Sequence, residues 1–260
     1  MSIFIDQLGR KVHIESTPKR IVSIVPSQTE LLYALGCAET VVGQTVFCVH
    51  PYDKFKNAVK IGGPKKLNID KIIALKPDLV IANKEENLKE EVAVLEPYCP
   101  VWVSDIVNLE DALAMICSIG QICDKEHQAS QLIAKIENGF SIKNYEYKHT
   151  CIYMIWRNPY MVVGGGTFIN DMLSRGGFAN LCENMSRYPQ LLLEQMQMFN
   201  PDVVFLSSEP YPFKEKHIAE FEKIFPKSNI MLVDGEMFTW YGSRLQYSSQ
   251  YFNTIKARLL

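Results

Sequence analysis

Leu67-Asn-Ile-Asp70-Lys-Ile-Ile-Ala-Leu75-Lys-Pro77-Asp78-Leu-Val-Ile81 and Leu191-Leu-Leu-Glu194-Gln-Met-Gln-Met-Phe-Asn-Pro201-Asp202-Val-Val-Phe205 carry one pattern twice. Each begins as an amphipathic helix, turns at Pro-Asp and ends in a short apolar run suited to a buried strand. The two are offset by 124 positions, which pairs Asp70 with Glu194 as well as Asp78 with Asp202. A solenoid would need several copies of its unit. One echoed unit predicts instead two lobes of similar build.

Outward from these segments, strands and helices alternate. Arg20-Ile-Val-Ser-Ile-Val25 reads as a buried strand, and Ser27-Gln-Thr-Glu30 has the spacing of a capping box opening a helix that ends at Gly36. Strands are expected at Thr40–Gly43, Asp78–Ala82 and Val101–Val103, with helices at Ile69–Leu75 and Glu86–Glu96. The middle differs: Leu109–Gly120 and Lys125–Tyr145 are both helical in pattern with no strand between them. The second would be roughly 30 Å long at about 1.5 Å per residue, a stiff strut between lobes. Alternation then resumes, with strands at Thr150–Trp156, Met161–Val163, Asp202–Leu206 and Asn229–Val233. Helices are expected at Phe168–Ser174, Leu191–Met198, Lys214–Ile224 and Tyr241–Leu259. The predicted class is α/β, with parallel sheets covered on both faces by helices. The expected divisions are an N-terminal lobe over 1–108, a linking helical region over 109–147 and a C-terminal lobe over 148–260.

Composition narrows the function. The chain has 260 residues, is 47% hydrophobic and carries a formal charge of −2 from 27 basic and 29 acidic residues without a basic stripe. Nucleic acid is not an expected partner, because phosphate binding needs clustered Lys and Arg. No run of about 18 apolar residues suits a membrane span. The first six residues lack the charged start and apolar stretch of a signal peptide, so either the mature chain is cytoplasmic or an export signal has been removed. Seven cysteines, odd in number and without a Cys-x-x-Cys, predict reduced and mostly buried thiols rather than a disulfide framework or a zinc knuckle.

Arg20–Leu31, Val42-Gly43, Leu75–Ile81 and the strut helix together resemble the helical-backbone metal receptors, the substrate-binding proteins of ABC importers for cobalamin, haem and ferric siderophores. The resemblance runs in order over nearly the whole chain, and the cobalamin-binding members are nearest. It implies two α/β lobes on a rigid helix, a metal chelate between them, no enzymatic activity, no resident cofactor, a monomer, and a place in the cell envelope beside importer membrane subunits. It also implies roles. Tyr188 falls where those members have a ligand-stacking Trp, Phe47 where they have a Tyr, Met161 where they have a Phe, and Pro64 where they have a Trp. Asp70 and Glu194 fall on glutamates that pair with arginines of the importer, one per lobe.

In open α/β sheets ligands sit beyond the carboxyl ends of the strands. That rule selects the loops Val46–Tyr52, Gly62–Leu67, Trp156–Met161, Ser186–Pro189 and Glu236–Arg244. Candidate ligand contacts there are Phe47, His50, Lys65, Trp156, Arg157, Tyr160, Met161, Tyr188, Trp240, Tyr241 and Arg244, and the glycine turn that follows Val163 adds Gly165. Aromatics in such loops, Tyr188, Trp240 and Tyr241 above all, are expected to stack on a flat macrocycle. The plain alternative is that they cover the loop ends of the sheet. His50 is the one histidine of five in these loops and the single candidate for a metal bond; His13, His127, His149 and His217 sit in segments that read as exposed. A corrinoid is the expected ligand. An anionic siderophore or haem would instead call on Arg157, Arg187 and Arg244. A further alternative is a doubly wound enzyme that uses Gly164-Gly-Gly166 to hold a nucleotide at a helix start. No Gly-x-Ser-x-Gly elbow or His-Glu-x-x-His supports an enzyme.

Overall fold

A computed structural model describes residues 2–53, 58–141 and 149–259. The chain forms two compact units. Unit 1 comprises Met1–Ile106, Glu110–Lys135 and Tyr241–Arg244, and unit 2 comprises Val107–Leu109, Ile136–Trp240 and Leu245–Leu260.

Unit 1 opens with an antiparallel hairpin, β1 (Ser2–Ile5) and β2 (Lys11–Ile14). Then come β3 (Ile21–Ser23), α1 (Pro26–Ala34), β4 (Val41–Gln44), β5 (Val59–Lys60), the small hairpin β6 (Gly62–Gly63) and β7 (Lys66–Leu67), α2 (Ile69–Ala74), β8 (Leu79–Asn83), α3 (Lys89–Leu95) and β9 (Val101–Ser104). The main sheet is parallel in the order β5-β4-β3-β8-β9. Every residue of β8 and β9 is buried, as expected of parallel strands covered on both faces. α4 (Leu109–Ile122) and α5 (Glu126–Gly139) follow.

Unit 2 holds β10 (His149–Trp156), β11 (Tyr160–Val162), α6 (Phe168–Arg175), β12 (Phe178–Asn180), β13 (Gln190–Leu191), α7 (Leu193–Gln197), β14 (Val203–Ser207), α8 (Ile218–Ile224), β15 (Asn229–Val233), α9 (Glu236–Thr239) and α10 (Leu245–Ala257). β10 pairs in parallel with β12 and β14, and β14 with β15, while β11 and β13 add antiparallel edges. Behind the sheet, Phe205 meets Phe178 with ring centroids 5.0 Å apart, and Tyr153 meets Phe238 at the same separation. Such edge-on pairs contribute about 0.5–1.5 kcal/mol each beyond the area they bury.

The echoed segments are echoed in their hydrogen bonds. The Asp78 carboxylate accepts the backbone amides of Lys19 at 2.7 Å and Arg20 at 2.9 Å, tying β8 to the start of its neighbour β3. The Asp202 carboxylate accepts the Thr150 amide at 2.7 Å and its hydroxyl at 2.8 Å, tying β14 to the start of β10. In both, the turn aspartate fixes the register of two parallel strands.

Three expectations change. The capping box at Ser27 does not form: the helix starts at Pro26 with Val25 in the cap position and no side-chain cap. Proline suits the first helical position because the amide it lacks would have no partner there. Glu30 is thereby released to pair with Arg244. The C-terminal helix begins at Leu245 rather than Tyr241, after the separate short helix α9. The strut helix ends at Gly139, and residues 142–145 of its expected span lie outside the described residues. The main parallel strands, the α/β class and the buried cysteines are as expected, whereas the two small hairpins and the antiparallel edge pairing of β11 with β10 and β13 are not; of the seven cysteines, only Cys117 is exposed.

Candidate functional site

The carboxyl ends of the parallel strands carry the loops of interest in each unit. In unit 1 the chain leaves β4 into Thr45–Tyr52, pinned from beneath by a small polar network. The Thr29 hydroxyl lies 2.9 Å from the Val25 carbonyl and 2.8 Å from the Ser23 hydroxyl. The Cys48 thiol lies 3.2 Å from both the Thr29 and Thr45 hydroxyls. The Lys60 ammonium donates to the carbonyls of Thr45 at 3.3 Å and Cys48 at 3.1 Å. Cys48 is buried, and that burial pushes its thiol up. On this base Phe47 stands 60% exposed, with Tyr52 and Val46 exposed beside it in sequence. Gly63 lies under the Phe47 ring, where a Cβ would come within 3.2 Å of it. Asn87 donates to the Pro64 and Ile24 carbonyls, both at 3.1 Å, which fixes the next loop. Lys65 is exposed and donates to the Glu85 carbonyl. His50 precedes a cis proline and is half-buried. Among the described residues no group of three His, Cys, Asp or Glu side chains is placed to hold a metal.

In unit 2 the last residue of β10, Trp156, is 38% exposed. Its indole N–H donates to the Asn158 carbonyl at 3.1 Å, and its ring meets Tyr211 edge-on at 5.6 Å. Next to it Arg157 is held by Glu220, with Nη2 2.7 Å and Nε 2.8 Å from Oε2, and the Tyr160 hydroxyl donates to Oε1 at 2.8 Å. Met161 lies half-buried across from Trp156 in the β10–β11 ladder. Tyr188 is half-buried, with the Arg187 guanidinium 5.7 Å above its ring.

The glycine turn is used by the fold itself. The Gly164 amide donates to the Arg187 carbonyl at 2.6 Å and the Gly165 amide to the Met185 carbonyl at 2.7 Å. A Cβ on Gly165 would lie 2.1 Å from the Glu183 carbonyl oxygen, so glycine is needed for close backbone approach. Those two amides are committed within the fold, and the Thr167 hydroxyl caps α6 by accepting the Asn170 amide at 3.2 Å.

Trp240 and Tyr241, expected as conspicuous loop aromatics, are only 8% and 6% exposed. The Trp240 indole N–H donates to Glu209 at 3.2 Å, and burial raises the Glu209 carboxyl. Arg244 grips Glu30 through Nη2 at 2.8 Å and Nε at 3.2 Å, with both side chains largely buried. Residue type alone did not disclose that these arginines already had acidic partners, because Glu30 and Glu220 lie far from them in sequence. His217, expected in an exposed segment, is buried against Tyr211 and Phe213. The sequence reading also passed over Tyr211; the run Tyr211-Pro-Phe213, four residues before His217, was the signal available.

A family profile described as periplasmic binding protein matches residues 21–225. The chain belongs to the periplasmic binding protein family. Among curated relatives, an uncharacterized ABC transporter substrate-binding lipoprotein of Bacillus subtilis is 29% identical over 211 residues, covering 76% of this chain and 67% of its own. A vitamin B12-binding protein of Vibrio campbellii is 28% identical over 195 residues, covering 73% and 70%. Of solved structures, the vitamin B12 binding protein of Vibrio cholerae superposes with a TM-score of 0.76 at 20% identity, covering 94% of this chain and 98% of that one. A heme-binding protein of Roseiflexus sp. RS-1 reaches 0.78 at 20% identity, covering 93% and 97%. These neighbours share the fold of two α/β lobes. As a member of the periplasmic binding protein family the chain is a solute-binding protein and not an enzyme, and no described helix is long and apolar enough to cross a membrane.

Proposed function

We propose that this periplasmic binding protein captures a corrinoid at the cell envelope and delivers it, as a monomer, to the membrane subunits of an ABC importer. One observation carries the choice of ligand. The loop ends of the sheets expose aromatic faces, Phe47 in unit 1 and Trp156 in unit 2, while two of the three arginines that an anionic ligand would call on, Arg157 and Arg244, are neutralised by Glu220 and Glu30, and the third, Arg187, lies over the Tyr188 ring. An anionic haem or siderophore calls for arginine forks open to its carboxylates. A corrinoid, rich in amides around an apolar ring, calls for stacking surfaces. The vitamin B12-binding names of several relatives support the same reading. Visible absorption titrations with cyanocobalamin, haemin and a ferric siderophore test it. Cyanocobalamin alone should saturate the protein, and Trp156→Ala or Phe47→Ala should weaken it by about 1–3 kcal/mol, the worth of one large buried side chain. Saturation by haemin with no response to cyanocobalamin would sink the assignment.

A further inference from the structure

The structure assigns Tyr211 and His217 as positioning residues that hold Trp156 in place for the ligand, a role that rests on the proposed stacking function of Trp156. The tryptophan ends a strand and would otherwise swing on its own rotamers. Two contacts stop it. Its indole N–H is fixed on the Asn158 carbonyl at 3.1 Å, and its ring meets Tyr211 at 5.6 Å with the planes 69° apart. Tyr211 is in turn wedged between Phe213, at 4.7 Å, and His217, at 5.6 Å, while Phe213 stands on Phe221 at 5.7 Å in the hydrophobic core of the unit. The chain of rings thus runs from the core to the exposed face of Trp156.

His217 orients the middle of this chain. Its Nδ1 accepts the Lys214 amide at 2.9 Å, so the proton of the neutral ring sits on Nε2, 3.4 Å from the Tyr211 hydroxyl. Charged groups around it come from three directions: Lys216 on its own turn, Arg157 from the end of β10, and Glu220 from α8. The Arg157–Glu220 pair closes the side of the cluster, with Tyr160 on the other carboxylate oxygen. The backbone anchors the same cluster: the Tyr211 amide donates to the Ile155 carbonyl of β10 at 3.3 Å, one residue before Trp156, and the Phe213 amide to the Ser207 carbonyl of β14 at 3.3 Å. What it provides is a stacking wall with few accessible rotamers, which lowers the ordering cost of binding a flat ligand.

Fluorine NMR of the full chain labelled with 5-fluorotryptophan tests the assignment without relying on the ligand. The chain has three tryptophans, and loss of a resonance in Trp156→Phe identifies the one of interest. Tyr211→Leu should shift or broaden the Trp156 resonance while Trp102 and Trp240 keep theirs; Tyr211→Phe, which keeps the ring, should restore it. Cyanocobalamin should bind Tyr211→Leu roughly 5-fold more weakly and Tyr211→Phe as tightly as wild type, the fold-change appropriate to one aromatic pair. An unmoved Trp156 resonance in Tyr211→Leu would overturn the positioning role. So would a loss of affinity that Tyr211→Phe fails to restore. Should wild type bind no corrinoid at all, the functional reading fails, while the resonances still decide whether Tyr211 positions Trp156. If Tyr211→Leu does not fold, His217→Gln in the same labelled protein gives the same decision through the Trp156 resonance.

Discussion

Glu30 shows how one residue changes meaning once it is placed. In the sequence it completes a capping box; in the fold it binds Arg244 through two hydrogen bonds, both partners largely screened from water. Removing one partner of such a pair leaves a charge short of compensation. Glu30→Ala should therefore lower unfolding stability by about 2 kcal/mol, in the range for hydrogen bonds to charged groups, as read from urea denaturation. A loss below ~0.5 kcal/mol would place the pair among surface bridges of little consequence. His217 has a pH signature of its own. Burial, then Lys216 and Arg157, hold its pKa below the ordinary imidazole value. The folded state thus resists a proton that the unfolded chain accepts at about pH 6.5. Stability from this residue is complete above that pH and declines as pH falls through the lowered folded pKa. Melting temperature should drop on acidification through this window in wild type and drop less in His217→Gln. Identical profiles would show that His217 does not titrate differently in the two states.

At the level of elements, the echoed helix-Pro-Asp-strand segments were legible because each packs its pattern into about 15 consecutive residues, where local periodicity carries the signal. Their aspartates were legible only as turn residues. Their second task, accepting amides from the start of the neighbouring parallel strand, spans 59 positions for Asp78 with Lys19 and 52 for Asp202 with Thr150. Asp202→Ala should cost about 1–2 kcal/mol, since amide and hydroxyl donors of Thr150 both lose their acceptor. These hydrogen bonds also hold the Asp202 carboxyl below its usual range, so the contribution persists at neutral pH and is lost in acid as the folded group protonates. Equal stabilities of wild type and Asp202→Ala at pH 7 would contradict this. Helix ends were the weak point of the reading. Pro26 starts α1 and a separate α9 precedes α10 because backbone geometry, rather than residue preference, decides where a helix can begin.

For the whole molecule, the echo places one exposed acid at the same point of each unit. Asp70 and Glu194 are both the second residue of their helices, α2 and α7, and both are exposed. Carboxylates there favour the helix by a few tenths of a kcal/mol to about 1 kcal/mol. We propose that they also dock the protein on the importer, since equivalent acids on two lobes suit a partner of two equal subunits. Asp70→Lys combined with Glu194→Lys should leave cyanocobalamin affinity within about twofold and abolish uptake in cells that depend on this protein, the charge reversal setting like against like. Normal uptake by the double variant would reduce both acids to helix-start residues.

The sequence by itself determined the α/β class, the two echoed units, the order of the main parallel strands and of most helices, and the loops at the carboxyl ends of the sheets, because each is written in patterns a few residues to one helix long; the N-terminal hairpin and the short strands β5, β6, β7, β12 and β13 left no such pattern. It also offered Phe47 and Trp156 among its candidate contacts, while favouring Tyr188, Trp240 and Tyr241. The tertiary structure alone decided which aromatics remain exposed and which arginines are already paired. Trp240 and Tyr241 turn inward, and Arg157 and Arg244 meet Glu220 and Glu30 across 63 and 214 positions. Burial and charge pairing depend on which distant segments come together, and the periodicity of one segment holds no record of its neighbours in space.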